Sequence, residues 1–289
     1  MQPIPKVSII IPSYNNEKYI ADAISSALNQ TYPNIEVIVV DDNSRDKTQK
    51  IVGSFTEDNL YYIKNQSNLG VSIAKNVGIQ KCTGDYIAFL DSDDMYEKNK
   101  IEEQMNVFNI ATLNHQNIGY VYCGIKIVDT YCNMLKEFPA SGKAWDGITN
   151  GEFVGATPLI KKDCFEKVGL FDPDLKYFED LDLYFRMKTF GYNFGYTEKT
   201  LYLYRQHTTN ISKDRQLIVD NVEKYYTKHL SNPELRNNKY ILAQFYTNKG
   251  VALFLVSPTK SLYFILKSLT LDPKVFIIRF YKLLSNYKK

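Results

Sequence analysis

The stretch Ala88-Phe-Leu-Asp-Ser-Asp-Asp-Met-Tyr-Glu97 closes an apolar run with three carboxylates in four positions. Two carboxylates about 4 Å apart repel by roughly 4 kcal/mol at an effective dielectric of about 20, so Asp91, Asp93 and Asp94 need a counterweight. Solvent is one. A helix start is another, because Asp94 followed three residues later by Glu97 has the form of a capping box, which would engage Asp94 but leave Asp91 and Asp93 unused. A divalent cation is the third, because Mg2+ and Mn2+ prefer oxygen and are usually held by one or two carboxylates plus substrate phosphates. A second acidic group, Glu179, Asp180 and Asp182, opens the segment 177–190, where acids at a helix N-terminus interact favourably with the helix dipole.

The elements around these residues alternate. Val7 to Ile11, closed by Pro12, reads as a strand buried on both faces, and Ile20, Ala23, Ile24, Ala27 and Leu28 recur at helical spacing. Ile35 to Val40 is a second strand ending in Asp41 and Asp42. Helical spacing returns at Ile51, Val52 and Phe55, then strand character at Leu60 to Ile63. A polar loop, 65–70, precedes a helix carrying Ala74 and Val77, and a fourth strand, Tyr86 to Leu90, leads into the acidic cluster. Four such alternations argue a parallel sheet with helices on both faces, and such sheets bind ligands beyond the carboxyl ends of their strands. Three strand ends then share one rim: Pro12, Tyr14 and Asn15; Asp41 and Asp42; and Asp91, Ser92 and Asp93. Further on, 120–122, 126–128 and 157–160 read as short strands, and 151–157 as an acceptor-side loop. The segment 177–190 reads as a largely buried helix ended by Gly191. His207 follows a Tyr-rich strand from Leu201 to Tyr204, whereas His115 and His229 have no comparable setting.

The 289 residues carry 44% hydrophobic and 14% aromatic side chains, enough for a packed core, and a net charge of +3, too small for a general nucleic-acid binder. The charge is uneven: seven Lys or Arg against one Asp in 258–289 give that stretch +6 and leave −3 for the rest. The four cysteines show neither a CxxC pair nor zinc spacing, and the apolar run at Val7 to Ile11 is too short for a leader, so the expectation is reduced thiols in a cytoplasmic protein. After Ser212 the pattern is helical. Asp272 and Pro273 look like a cap and a first-turn proline opening a basic, apolar helix over 275–284, too short to span a bilayer. That tail suits either an interfacial helix on an anionic leaflet or a hairpin packed on the catalytic domain or a partner subunit.

Neither G-x-G-x-x-G nor G-x-x-x-x-G-K-[ST] occurs, so a backbone phosphate cradle is missing. A diphosphate approaching Asp91 and Asp93 needs a bridging cation, which makes metal and phosphorylated ligand mutually necessary. An acidic rim of this kind suggests a nucleotide-diphosphate carrier.

Val7-Ser-Ile-Ile-Ile-Pro-Ser-Tyr-Asn15, Ile38-Val-Val-Asp-Asp-Asn-Ser44, Asn68-Leu-Gly70 with Ala74-Lys-Asn-Val-Gly78, and Gly84 to Asp94 together resemble glycosyltransferase family two over roughly residues 5 to 210. The resemblance implies an α/β GT-A fold, Rossmann-like, with a mostly parallel central sheet flanked by helices, here with a C-terminal helical extension. The expected division is 1–212 as catalytic domain (1–95 nucleotide-binding, 96–212 acceptor and catalytic) and 213–289 as helical region. It also implies a UDP-sugar donor and a divalent metal, Mn2+ or Mg2+. By resemblance, Pro12 and Tyr14, with Asn15, would line base and ribose. Asp42 would accept the uracil N3 proton, with Asp41 beside it. Asp91, with Ser92, would approach ribose or metal, and Asp93 would bind the metal. Lys75 stands where the family more often has Arg and would contact the nucleotide, unless it is a solvated helix lysine. Glu179-Asp180 matches the family's ED motif, whose Asp deprotonates the acceptor hydroxyl, and His207 would reach the metal or diphosphate.

The mechanism so implied is a single inverting displacement onto a glycan or lipid-linked acceptor, in the cytoplasm or at the cytoplasmic face of the inner membrane, with bacterial surface polysaccharide as the setting. A sugar nucleotidyltransferase and a non-catalytic nucleotide-sugar-binding scaffold are the alternatives. No nucleic-acid partner is expected, and the sequence fixes no oligomeric state.

Overall fold

Val7–Ser13 (β1) lies at the centre of a parallel array, paired in register with Ile35–Asp41 (β2) on one side and Tyr86–Phe89 (β4) on the other, with Leu60–Lys64 (β3) outside β2. The computed structural model describes residues 3–142, 155–230, 237–254, 257–275 and 277–278. Every residue of β1 and β2 is buried, as β-branched strands covered on both faces require. Ile20–Leu28 (α1) buries Ile20, Ala23, Ile24 and Ala27 against Val7, Ile9 and Ile11. Fully burying each of its two isoleucines contributes about 2 kcal/mol. Thr48–Val52 (α2) and Val71–Lys81 (α3) complete the alternation.

Beyond β4 the strand directions change. Leu159–Lys161 (β8) runs antiparallel to β4 and to Ile118–Val128 (β6), β6 pairs in parallel with Asn193–Arg205 (β9), and β9 pairs antiparallel with Met95–Tyr96 (β5). Met134–Phe138 (β7) branches from β6, so the described strands form a nine-stranded sheet that is mixed rather than mostly parallel. The two short strands expected at 120–122 and 126–128 are one continuous strand, β6. Lys100–Leu113 (α4) packs Ile101, Met105 and Phe108 into the core shared with α1. Lys162–Val168 (α5) follows β8, and Glu179–Thr189 (α6) is the expected acidic-fronted helix.

Among the described residues, one compact unit holds 3–142, 155–173 and 179–210, and a second holds 174–178 with the described part of 211–278. The second unit contains Arg215–Leu230 (α7), Lys239–Leu253 (α8) and Pro258–Leu271 (α9). Small side chains let α8 and α9 approach. Ser261 Oγ donates to Gly250 O at 2.7 Å and Ser268 Oγ to Ala243 O at 2.8 Å. Asp272 caps a following turn by accepting the Lys274 N–H at 2.9 Å. The expected helix over 275–284 lies largely outside the described residues, as does most of the expected loop 151–157. Among the described residues no helix is long and apolar enough to cross a membrane.

Candidate active site

Parallel strands β1, β2 and β4 deliver their carboxyl ends to one rim, and the turns that follow are stitched together. The Asn15 N–H donates to Ser44 Oγ at 2.8 Å, Asn15 Oδ1 accepts the Arg45 N–H at 2.8 Å, and Asn16 Nδ2 donates to Ser92 Oγ at 2.7 Å. Both turns pass through left-handed backbone, at Asn15 (φ 50°) and Asn43 (φ 66°), which asparagine tolerates because its short side chain bonds locally. Pro12 is buried behind the rim, whereas Tyr14, 46% exposed, stands open on it. Ser92 is buried, with its hydroxyl tied to Asn16.

Asp41 and Asp42 are adjacent in sequence but differ in what they face. Asp41 is wholly buried, accepting from the Ser44 N–H at 2.7 Å and the Tyr62 hydroxyl at 2.5 Å, so it shapes the turn from within. Asp42 takes the loop before α3: it accepts from Asn65 Nδ2 at 2.8 Å, the Leu69 N–H at 3.0 Å and the Gly70 N–H at 2.7 Å. Gly70 has φ 94°, a conformation costly to any residue with a Cβ, and this directs its N–H at the carboxylate.

Asp94 does not form a capping box. Its carboxylate turns inward and accepts the Tyr202 hydroxyl and the Arg205 N–H, each at 2.7 Å, while α4 begins later, after Asn99. Burial, then the charges of Asp93 and Asp91, holds its carboxyl well above the usual range. Local pattern suggested a cap, but the partners came from β9, more than a hundred residues away.

Asp93 meets His207, whose Nε2 lies 2.8 Å from Asp93 Oδ2. The other ring nitrogen, Nδ1, is 2.9 Å from Thr209 Oγ1. The imidazole packs against Tyr19 with ring centroids 4.9 Å apart and planes tilted by 30°, and the Arg205 guanidinium lies 4.7 Å from the same tyrosine ring.

Lys75 is not a solvated helix lysine. It is 1% exposed, and its Nζ donates to Glu179 Oε1 and to Asp180 Oδ1, both at 2.8 Å. The ammonium also lies 5.1 Å from the centre of the Phe171 ring and 5.7 Å from that of Phe89. Burial alone would lower its pKa, but the Asp180, Glu179 and Asp91 charges raise it, so it stays protonated. Asp180 is pushed up to about 6, first by burial and then by Glu179, with Lys75 pulling the other way. Asp182 takes no part in this contact and instead pairs with Arg186 Nε at 2.9 Å.

Asp91 joins the two groups electrostatically. Burial raises its pKa to about 7 against the pull of Lys75, and the charges of Asp93, Asp180 and Glu179 add to the rise. A carboxyl so crowded is relieved by any added cation. Among the described residues no three His, Cys, Asp or Glu side chains stand close enough to cage an ion by themselves. Asp93 and His207 supply an oxygen and a nitrogen donor, leaving other positions to phosphate and water, as Mn2+ and Mg2+ accept. The donor set therefore fits an ion bound jointly with a diphosphate.

Three contributors lay outside sequence reasoning. Asn16 ties β1's turn to Ser92. Tyr184 Oη donates to Gly155 O at 2.5 Å, joining α6 to the segment before β8. Gly155 lies so close that a Cβ there would collide with the Asp180 carboxylate. Asn16 lies one residue past the recognised stretch 7–15, whereas Gly155 and Tyr184 carry no local signal.

The sequence model described as Glycosyl transferase family 2 matches residues 8–168. An uncharacterized glycosyltransferase of Rickettsia typhi is 41% identical over 190 residues, covering 63% of this chain and 58% of that protein, so the chain spans a little over half the length of that relative. The putative teichuronic acid biosynthesis glycosyltransferase TuaG of Bacillus subtilis is 27% identical over 216 residues, 73% of this chain and 83% of TuaG. Among solved structures, S. aureus TarS 1–349 in complex with UDP-GlcNAc superposes with a TM-score of 0.68 at 20% identity, covering 91% of this chain and 79% of that one. Mannosyltransferase PcManGT from Pyrobaculum calidifontis, in complex with GDP-Man and Mn2+, gives 0.67 at 18% identity, with 99% and 82% covered. These likenesses bear out the GT-A fold expected from the sequence.

Proposed function

The chain belongs to glycosyl transferase family 2, and from that premise we propose that it moves a sugar from a UDP-sugar to a hydroxyl of a glycan or lipid-linked acceptor, with inversion. Asp93 and His207, with Asp91 nearby, would hold a divalent ion, Mn2+ or Mg2+. Pro12, Tyr14, Asn15, Asp42 and the loop that Asp41 and Ser92 support would receive the nucleoside. The observation that carries the reading is the buried bridge from Lys75 to Glu179 and Asp180, which ties a carboxylate able to act as a base into the charge cluster of Asp91 and Asp93. A nucleotide sugar in each of the two similar structures, with Mn2+ in one, supports the ligand class. The name of the Bacillus relative supports surface polysaccharide assembly as the setting.

In this reading Asp180 takes the proton of the acceptor hydroxyl as its oxygen attacks the anomeric carbon from the face opposite the leaving nucleotide. A base must be ionised and within hydrogen-bond reach of its proton. With its carboxyl raised to about 6 by burial and Glu179, Asp180 is more basic than an ordinary aspartate, and the Lys75 ammonium favours its ionised form. Lys75 positions the carboxylate through Oδ1, and Glu179 shares the ammonium, so Lys75 is a positioning residue and Glu179 its second anchor. A bound ion would neutralise charge developing on the departing diphosphate. No covalent intermediate is needed, so no separate nucleophile is assigned.

The test is incubation with Mn2+ and a panel of UDP-sugars, with GDP-mannose alongside, scoring nucleoside diphosphate release with and without lipid-linked acceptors. Acceptor-dependent UDP release is the expected result. In a parallel incubation with UTP and sugar 1-phosphates, release of pyrophosphate would identify a sugar nucleotidyltransferase instead, and donor binding without product in either incubation a scaffold.

A further inference from the structure

We propose that α9 and the turn after it form a docking face for an anionic lipid surface. Ser261 and Ser268 face α8, and Ile265 packs on Gly250, so one side of α9 is committed. At 100° per residue Leu262, Tyr263 and Leu266 fall on the opposite side, where they are 57%, 56% and 52% exposed. Phe254 before the helix and Ile277 and Ile278 after it are also exposed, at 60%, 61% and 53%. Side chains of this size left in water on consecutive elements form the kind of patch that marks an interaction site.

Charge selects the occupant. Lys260 and Lys267 flank the apolar ridge on one side of α9, seven residues apart and so nearly in line, and Lys274 is exposed just beyond. The stretch 258–289 carries seven basic residues against the single Asp272. A second copy of the same face would bring like charges together, whereas an anionic leaflet complements them while accepting leucine and isoleucine into its acyl boundary. Tyrosine suits the same depth, with an apolar ring and a polar tip. Lys267 lies along aromatic surface, its ammonium 4.6 Å from the Tyr246 ring centre and 5.7 Å from that of Tyr263. The face is too short and too polar on its packed side to enter further, so the contact is peripheral.

The experiment is flotation of the full chain with vesicles of equimolar phosphatidylcholine and phosphatidylglycerol, beside vesicles of phosphatidylcholine alone. Binding to the anionic vesicles, falling with added salt and absent from the neutral ones, is expected. Each lysine near the surface is worth about a five-fold change in partition, so Lys260→Gln with Lys274→Gln should weaken binding roughly 25-fold. Leu262→Ser with Leu266→Ser should weaken it at least about ten-fold. Both pairs are exposed, so circular dichroism should match the parent. Equal flotation of parent and Leu262→Ser/Leu266→Ser overturns the proposal, as does failure to float. A dimer in sedimentation that the same leucine pair abolishes would assign the face to a second copy and overturn it too. None of these readouts depends on donor or acceptor, so the result is independent of the proposed transferase activity.

Discussion

Glu36 and Asp91 are acidic side chains at opposite ends of the same sheet, and the fold treats them oppositely. Glu36, near the start of β2, accepts from Ser8 Oγ at 2.5 Å, the Thr83 N–H at 2.6 Å and Thr83 Oγ1 at 2.8 Å, and Lys6 Nζ lies at 2.9 Å. Burial works to raise its pKa, but these partners outweigh burial and hold it at about 2. Asp91, just past the end of β4, is driven up to about 7 by burial and by three neighbouring acids, with Lys75 the counterweight. A structural carboxylate is surrounded until it is content. The one at the opposite end is left short of positive charge, which is what the proposed binding of a cation and a diphosphate would require.

Substitutions at either end of the sheet test that contrast. Asp180→Asn should lower acceptor-dependent transfer by about 10²- to 10⁴-fold while donor affinity measured calorimetrically stays within a few-fold. Full activity in that variant would remove the base assignment. Glu36→Gln should cost on the order of 3 kcal/mol in urea unfolding and leave donor binding intact. The sign follows from a depressed carboxyl: its contribution is complete above the ordinary value of about 4.5 and is lost as pH falls towards 2. At the other end, the transfer rate should fall as pH drops through about 6, where Asp180 takes up a proton. In Lys75→Met the nearby cation is gone, so the acid limb of the pH profile should move upward by roughly one unit or more, while Lys75→Arg should move it less. A thermal measurement tests the ion: Mn2+ at about 100 times its dissociation constant should stabilise by about 2.7 kcal/mol, a rise of several degrees in Tm, and Asp93→Asn should abolish it.

The rim was legible because its signals are local. Asp42, and Asp91 with Asp93, sit in short motifs at the ends of strands whose alternation with helices is plain in the sequence. The antiparallel additions were harder to read: β6 and β9 pair across long separations, and nothing near residue 120 announces that 193–205 will lie beside it. Asp94 was misassigned for the same reason, since its partners Tyr202 and Arg205 arrive from β9. Lys75 is the clearest case. Its motif gave it importance, but only the fold shows that its partners are Glu179 and Asp180, about a hundred residues away, and no periodicity encodes such a meeting.

Gly70, the cap just before helix α3, holds Asp42 through its N–H, and the helix carries Lys75, whose ammonium holds Asp180. Five residues at 1.5 Å each make it a rigid gauge about 7.5 Å long between the two anchor points. Inserting one alanine between positions 70 and 75 would swing the lysine by about 100° and set the gauge wrong, uncoupling the two ends without altering any side chain that touches a ligand.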